Sequence, residues 1–232
     1  FTRTALTAIQ MNPKVTSADR QSLYNSVIRA AQDGLMPDGR EGVLVIYSEW
    51  NGSGYSDKVQ FQPMVGGVIK RFGDAGILAY AESVYSKDVI RIWNDDTGQH
   101  VTHEPDVFGD RGDFIGVYAV GRTRDGRTYV QSMNVAEIDR VKAASKSKDK
   151  KTGEPKGPWK DWPDRMAQKS VLHRLGRRMP IQSNDNAAEL LASTLDADRE
   201  LYDFDGAPTV AATPAPTDGP RRPRALQAVS AA

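Results

Sequence analysis

Two stretches of β-branched and aromatic residues, each folded back on itself by turn chemistry, constrain this chain more than any other feature. Residues 117–133 read VYAVGRTRDGRTYVQSM, with Asp125 and Gly126 at the centre, the pair that best accepts the positive φ of a tight hairpin. Upstream, GVLVIYS (42–48) and the alternating KVQFQ (58–62) flank WNGSGYSD, which is turn chemistry, and 77–93 reads as two further strands. Turns this short join antiparallel strands, whereas parallel pairs need a long crossover. The sheet is therefore expected to be antiparallel.

Helical signals surround these strands. Residues 16–34 open on a T-x-x-D capping pattern and place Leu23, Val27, Ile28 and Ala31 at helical spacing before Gly34. In PMVGGVIKRFG (63–73), Pro63 suits a first helical position and Met64, Val68 and Phe72 recur every fourth residue. Gly66 and Gly67 each cost such a helix about 1 kcal/mol, a cost usually tolerated because another backbone passes close by. Residues 134–144 begin N-x-x-E as a capped helix, 162–179 form a long helix, and a shorter one covers 186–195.

The pattern predicts an α+β fold, an antiparallel β-sheet with helices packed around it. A single core domain (16–200) follows an N-terminal arm (1–15) and precedes an Ala/Pro-rich tail (201–232) expected to be disordered. The charged run SKSKDKKTGEPKG (145–157) predicts a mobile basic loop. At 232 residues and 39% hydrophobic content, one good core can be built. No run approaches the 18 apolar residues of a membrane span, and nothing resembles an export signal, so the expected location is cytoplasmic, with no membrane partner.

Several chemistries are disfavoured. The chain has no Cys, which removes disulfides, thiolate zinc sites and cysteine nucleophiles. No phosphate-cradling G-x-x-x-x-G-K-[ST] occurs after a strand. HVTHEPDVFGDRGDF (100–114) offers His100, His103, Asp106 and Asp110 to a divalent-metal nuclease, but H-x-x-H lacks the helical i, i+4 geometry of the zincins. No catalytic residue and no metal ligand is assigned.

Charge distribution is more informative than the net charge of +1. Between Arg140 and Arg178 there are thirteen basic residues against four acidic ones. On a helical wheel Arg165, Lys169, His173 and Arg177 fall on one stripe, with Trp162 and Met166 beside it, while Val171, Leu172, Leu175 and Met179 form another arc. After Asp164 the helix has no acid to form i, i+4 pairs. A row of like charges then calls for an anion, and a phosphate backbone is the natural one. Trp159 and Trp162 at the helix entry either stack on bases, as in single-strand binding sites, or belong to the core.

These pieces, in order, resemble the RecT family of phage single-strand annealing proteins, functionally related to phage lambda Beta. The matching segments are AAQDGLMPD, QFQPMVGGVIKRFGDAG, HEPD at His103, GVYAVGRTRDGRTYVQSMNVAEI, GPW and MAQKSVLHRLGRRMP, over roughly residues 16–180. The resemblance implies ATP-independent binding of single-stranded DNA, annealing through a duplex intermediate during homologous recombination, and homo-oligomeric rings or filaments. It also implies a phage or prophage origin and a partner exonuclease, while the composition of the tail from Gly206 onward suggests a tether for a host single-strand binding protein or for that exonuclease. No cofactor is implied, and magnesium would act by screening DNA, without a dedicated site. Carried over residue by residue, Gln62, Lys70, Arg71, Trp159, Lys169, Ser170, Arg174, Arg177 and Arg178 become the DNA-binding positions. The wheel and the aromatic argument add Lys160, Trp162, Arg165 and His173. His173 stands where a basic residue is common, leaving the row weaker at neutral pH. A coating protein without annealing activity is the alternative reading.

Overall fold

The computed structural model describes residues 1–50, 52–145, 154, 157–180 and 186–199. The expected basic loop falls mostly outside the described residues, and the tail from 201 falls wholly outside them. Among the described residues eight helices and seven strands follow one another as α1 (Thr2–Met11), α2 (Pro13–Ser17), α3 (Arg20–Gln32), β1 (Gly42–Trp50), β2 (Tyr55–Pro63), α4 (Val65–Asp74), β3 (Leu78–Tyr85) and β4 (Val89–Asp95). Then come β5 (Gly98–Glu104), β6 (Phe114–Arg122), β7 (Thr128–Asn134), α5 (Val135–Ala144), α6 (Pro158–Asp161), α7 (Pro163–Arg178) and α8 (Asn186–Arg199). Among the described residues no helix is long and apolar enough to cross a membrane.

The α+β architecture is as expected, and every strand pairing is antiparallel, but the strands divide among three sheets: β1–β2, β3–β6–β7 and β4–β5. The β6–β7 hairpin turns at Gly126 with φ +86°, as the Asp-Gly pair predicts. The three-stranded sheet carries two layers. Val84, Tyr118, Val120 and Val130 on one face meet Ile90 and Val101 of the β4–β5 hairpin. Ala79, Val117, Ala119 and Met133 on the other face pack against Phe72 of α4, Val141 of α5, Trp159 of α6, Val171 and Leu175 of α7, and Leu191 of α8.

A second, smaller core lies beneath the β1–β2 hairpin, where Leu44, Val59 and Phe61 meet Val15, Ala18, Ala30 and Leu35. The N-terminal arm thus takes part through α1 and α2. The helix expected from Thr16 begins four residues later. Asp19 is its cap, accepting a hydrogen bond from the Ser22 N–H at 2.7 Å, because Pro13–Ser17 forms a separate turn of helix. Pro63 ends β2 and does not start α4, whose cap is Met64. The two glycines of α4 do accommodate a passing backbone. A Cβ on Gly66 would lie 2.7 Å from the Arg40 carbonyl oxygen, and one on Gly67 would overlap that of Glu41. The capping box of α5 is present, with Asn134 and Glu137 exchanging hydrogen bonds at 2.9 and 3.0 Å.

Candidate nucleic-acid interface

The segment GPWKDWPDR enters α7 in two steps, each opened by a proline at the first helical position. The residue before a proline avoids helical backbone. Trp162 accordingly sits at φ −141°, which ends α6 after a single turn and swings its side chain outward. One tryptophan is consumed by the core and the other is presented: Trp159 is 1% exposed, Trp162 65%. Beside Trp162 runs a groove of about 360 Å³. Its floor is apolar, from Val43, Val45 and Ile46 of β1 with Met64 and Val65, and its walls carry Arg165, Met166, Lys169 and Lys14.

The cationic row predicted on α7 does not face solvent as a row. Met166 to His173 are all buried, including Lys169 and His173, because the helix is enclosed by the three-stranded sheet, α4 and α8. Lys169 still lines the groove wall, although only 1% exposed. Lys160 and Arg165 are exposed near Trp162, while Arg177 and Arg178 are exposed at the far end of α7. A 16-residue helix is about 24 Å long, so these form two separate groups. Arg178 borders a second depression of about 430 Å³ with Arg127, Gln131 and Tyr129, but Asp95 and Asp96 share it.

The missing acids of α7 are supplied by other elements. Arg174 donates to the Glu137 carboxylate at 2.8 Å and to the Ser132 carbonyl at 2.9 Å. Burial tends to raise the Glu137 carboxyl, but the Asn134 N–H and the Arg174 guanidinium outweigh it and hold the group below its ordinary value.

Residues 1–200 match the RecT family. The chain belongs to that family. Protein RecT of Escherichia coli (strain K12) is 27% identical over 188 residues, covering 77% of this chain and 65% of that protein's length. The family match reaches beyond the segments that carry the resemblance, taking in the arm with Lys14 as well as α8.

Within this RecT-family chain several motif positions hold the fold together. Lys70 pairs with Glu41 at 2.8 Å, and Arg71 pairs with Asp74 at 2.8 Å while donating to the Asp33 carbonyl. Gln62 is buried near the Tyr47 hydroxyl, and the buried Ser170 donates to the Met166 carbonyl at 2.8 Å, one helical turn back. Gln62, Arg71, Trp159, Ser170 and His173 are buried, and Trp159 takes the core alternative of its two readings. Lys14 and the β1 floor were not foreseen. Lys14 lies more than a hundred residues from Trp162, and no local pattern links them.

The histidines diverge. His100 and His103, three apart on β5, point to opposite faces of the hairpin. His100 stacks on Trp93 with centroids 5.2 Å apart and lies 2.9 Å from Asp95. His103 lies 3.1 Å from the buried Asp88 and 3.2 Å from the Tyr118 hydroxyl, whose pKa burial pushes up to about 12. Asp88 also accepts from Arg111 at 2.6 and 2.9 Å. This network joins the segment after β5 to the β3–β4 turn. Among the described residues no group of three or more His, Asp or Glu could hold a metal ion.

Proposed function

We propose that this protein binds single-stranded DNA without ATP and anneals complementary strands in homologous recombination, assembling as a homo-oligomer along the strand. The observation that carries the reading is the Trp162 groove: one outward tryptophan on an apolar floor, lined by Lys14, Arg165 and Lys169 against the single acid Asp161, with Lys160 exposed two residues before Trp162. An aromatic face stabilises a stacked base by about 1–3 kcal/mol whatever its identity. The surrounding cations neutralise phosphates and release counterions.

Annealing requires no bond to be made or broken in the DNA, so no side chain needs to act as nucleophile, acid or base. The protein lowers repulsion between two polyanions and holds one strand with its base edges free, and Watson–Crick pairing selects the register. Magnesium would assist by screening phosphates. An exonuclease that exposes the strand and a host single-strand binding protein that occupies it are the partners this role requires.

The test is the rate at which two complementary fluorescent oligonucleotides pair with the protein, without nucleotide, against a non-complementary pair and a no-protein control. Acceleration confined to the complementary pair is expected. Binding without acceleration would leave a coating protein and overturn the annealing claim.

A further inference from the structure

Strand β1 has one edge that the fold leaves open. Its partner β2 turns alternate residues away from it: the Val59 N–H donates to the Ser22 hydroxyl of α3 at 2.9 Å, and the Val59 carbonyl accepts from the Ser26 hydroxyl at 2.8 Å. In an antiparallel pair, facing residues exchange both of their backbone hydrogen bonds or neither. Ile46 faces Val59 and Leu44 faces Phe61, so Leu44 and Ile46 direct their N–H and C=O groups away from β2. Among the described residues no other strand pairs with β1. These groups reach the Trp162 groove. Four consecutive residues, Val43 to Ile46, line it, as a strand edge does, whereas a strand face presents every second residue.

An open edge is a template for an extended polypeptide, which returns the same alternation of donors and acceptors, whereas the edge carbonyls repel a phosphate chain. A groove of about 360 Å³ walled by Lys14, Trp162 and Arg165 takes a single extended segment, not the edge of a second folded sheet. Lys14, Arg165 and Lys169 against Asp161 select an acidic one. The chain carries such a segment directly after α8. Residues 200–205, outside the described residues, read ELYDFD: Tyr202 and Phe204 alternate with Asp203 and Asp205 at the period of a strand, and Glu200 adds a third acid with no base among them. Helix α8, from which the segment leaves, packs against β2, the other strand of the same hairpin.

We infer that segment 200–205 of this chain adds to the open edge of β1 as a further strand, its backbone meeting Leu44 and Ile46, its rings on the apolar floor and its carboxylates beside Lys14 and Arg165. A segment so placed occupies the surface assigned above to single-stranded DNA and is displaced by it, so the start of the tail restrains DNA binding. That consequence rests on the proposed function, whereas the strand addition itself does not.

The test compares the full-length protein with its Tyr202→Pro/Phe204→Pro variant, which keeps every charge but removes two N–H donors and both rings. Amide hydrogen exchange is followed without DNA and resolved to single residues by mass spectrometry. Leu44 and Ile46 should exchange about tenfold more slowly in the parent than in the variant, as occupancy of the edge about nine-tenths of the time requires, while Val43 and Val45, which bond to β2, exchange alike in both. By the same occupancy the variant should bind a short oligothymidylate about tenfold more tightly. Equal exchange of Leu44 and Ile46 in the two proteins overturns the strand addition, whether the edge is open in both or covered in both. Slower exchange in the parent with equal affinity for the oligonucleotide overturns the restraint. Slower exchange with no oligonucleotide bound by either protein would overturn the DNA-binding reading and leave the strand addition standing.

Discussion

Trp162 and Arg165 flank the same groove but should act on binding in separable ways. Removing the Trp162 ring by Trp162→Ala deletes a stacking platform of about 1–3 kcal/mol, a loss of roughly 5- to 150-fold in affinity for single-stranded DNA. No charge is removed, so the slope of log K against log salt should stay where it is. In the proposed binding mode Arg165→Ala removes one phosphate contact, and for a single strand each such contact contributes about 0.7 to that slope. The slope should therefore become shallower by about that amount, with the larger part of the affinity loss seen at low salt. Neither change should lower thermal stability, because both side chains are exposed. Trp159→Ala, in contrast, empties a core position and should cost about 3–5 kcal/mol of folding stability. The assay is fluorescence anisotropy of a labelled oligonucleotide titrated at four salt concentrations, with a melting curve for each variant. Affinity of Trp162→Ala within twofold of the parent at every salt concentration would remove the tryptophan from the interface. A slope change on Trp162→Ala without one on Arg165→Ala would refute the division of roles.

Gly67→Ala drives a methyl group into the Glu41 carbonyl, which already accepts the Met64 N–H at 2.9 Å and so cannot easily yield. Overpacking of this kind costs about 1–3 kcal/mol, or roughly 2–4 °C of melting temperature per kcal/mol at this size, whereas Gly73→Ala in the same helix meets nothing within 4 Å and should stabilise. Calorimetry on the pair decides it, and equal shifts would refute the close-approach argument. Asp88 is held well below the ordinary carboxylate range, chiefly by Arg111 and against the opposing effect of burial. Its contribution is therefore fully present above the unfolded carboxylate pKa of about 3.9 and is lost as pH falls through that value toward the folded one. Asp88→Asn should lower stability at pH 7 and flatten the acid limb of a stability–pH curve, while an unchanged limb would show that other groups govern acid unfolding.

The strands and most helices were legible because their signals are local: the Asp-Gly turn at 125–126, the Asn134 capping box, the Gly66-Gly67 pair that betrays a neighbouring backbone. The surface of α7 is not legible in its own sequence for the opposite reason. Its counter-charge comes from α5, where Glu137 takes up Arg174, and its burial comes from the three-stranded sheet on one side and α4 and α8 on the other. A wheel drawn on one helix assumes a single buried face, whereas a helix enclosed on several sides can bury Lys169 and His173 along with its apolar arc. The tryptophans illustrate what a finer reading could have used. Trp162 precedes Pro163, which forbids it helical backbone and breaks the segment there, while Trp159 follows Pro158 inside the turn that packs on the core. The groove itself needed tertiary information, since its floor is strand β1 and one of its cations, Lys14, stands on the N-terminal arm. An electrostatic contact surface depends on which charges are left after the fold has paired its own. In this chain that subtraction sets aside Lys70, Arg71 and Arg174 and leaves Lys14 and Arg165, against Asp161, around one exposed ring.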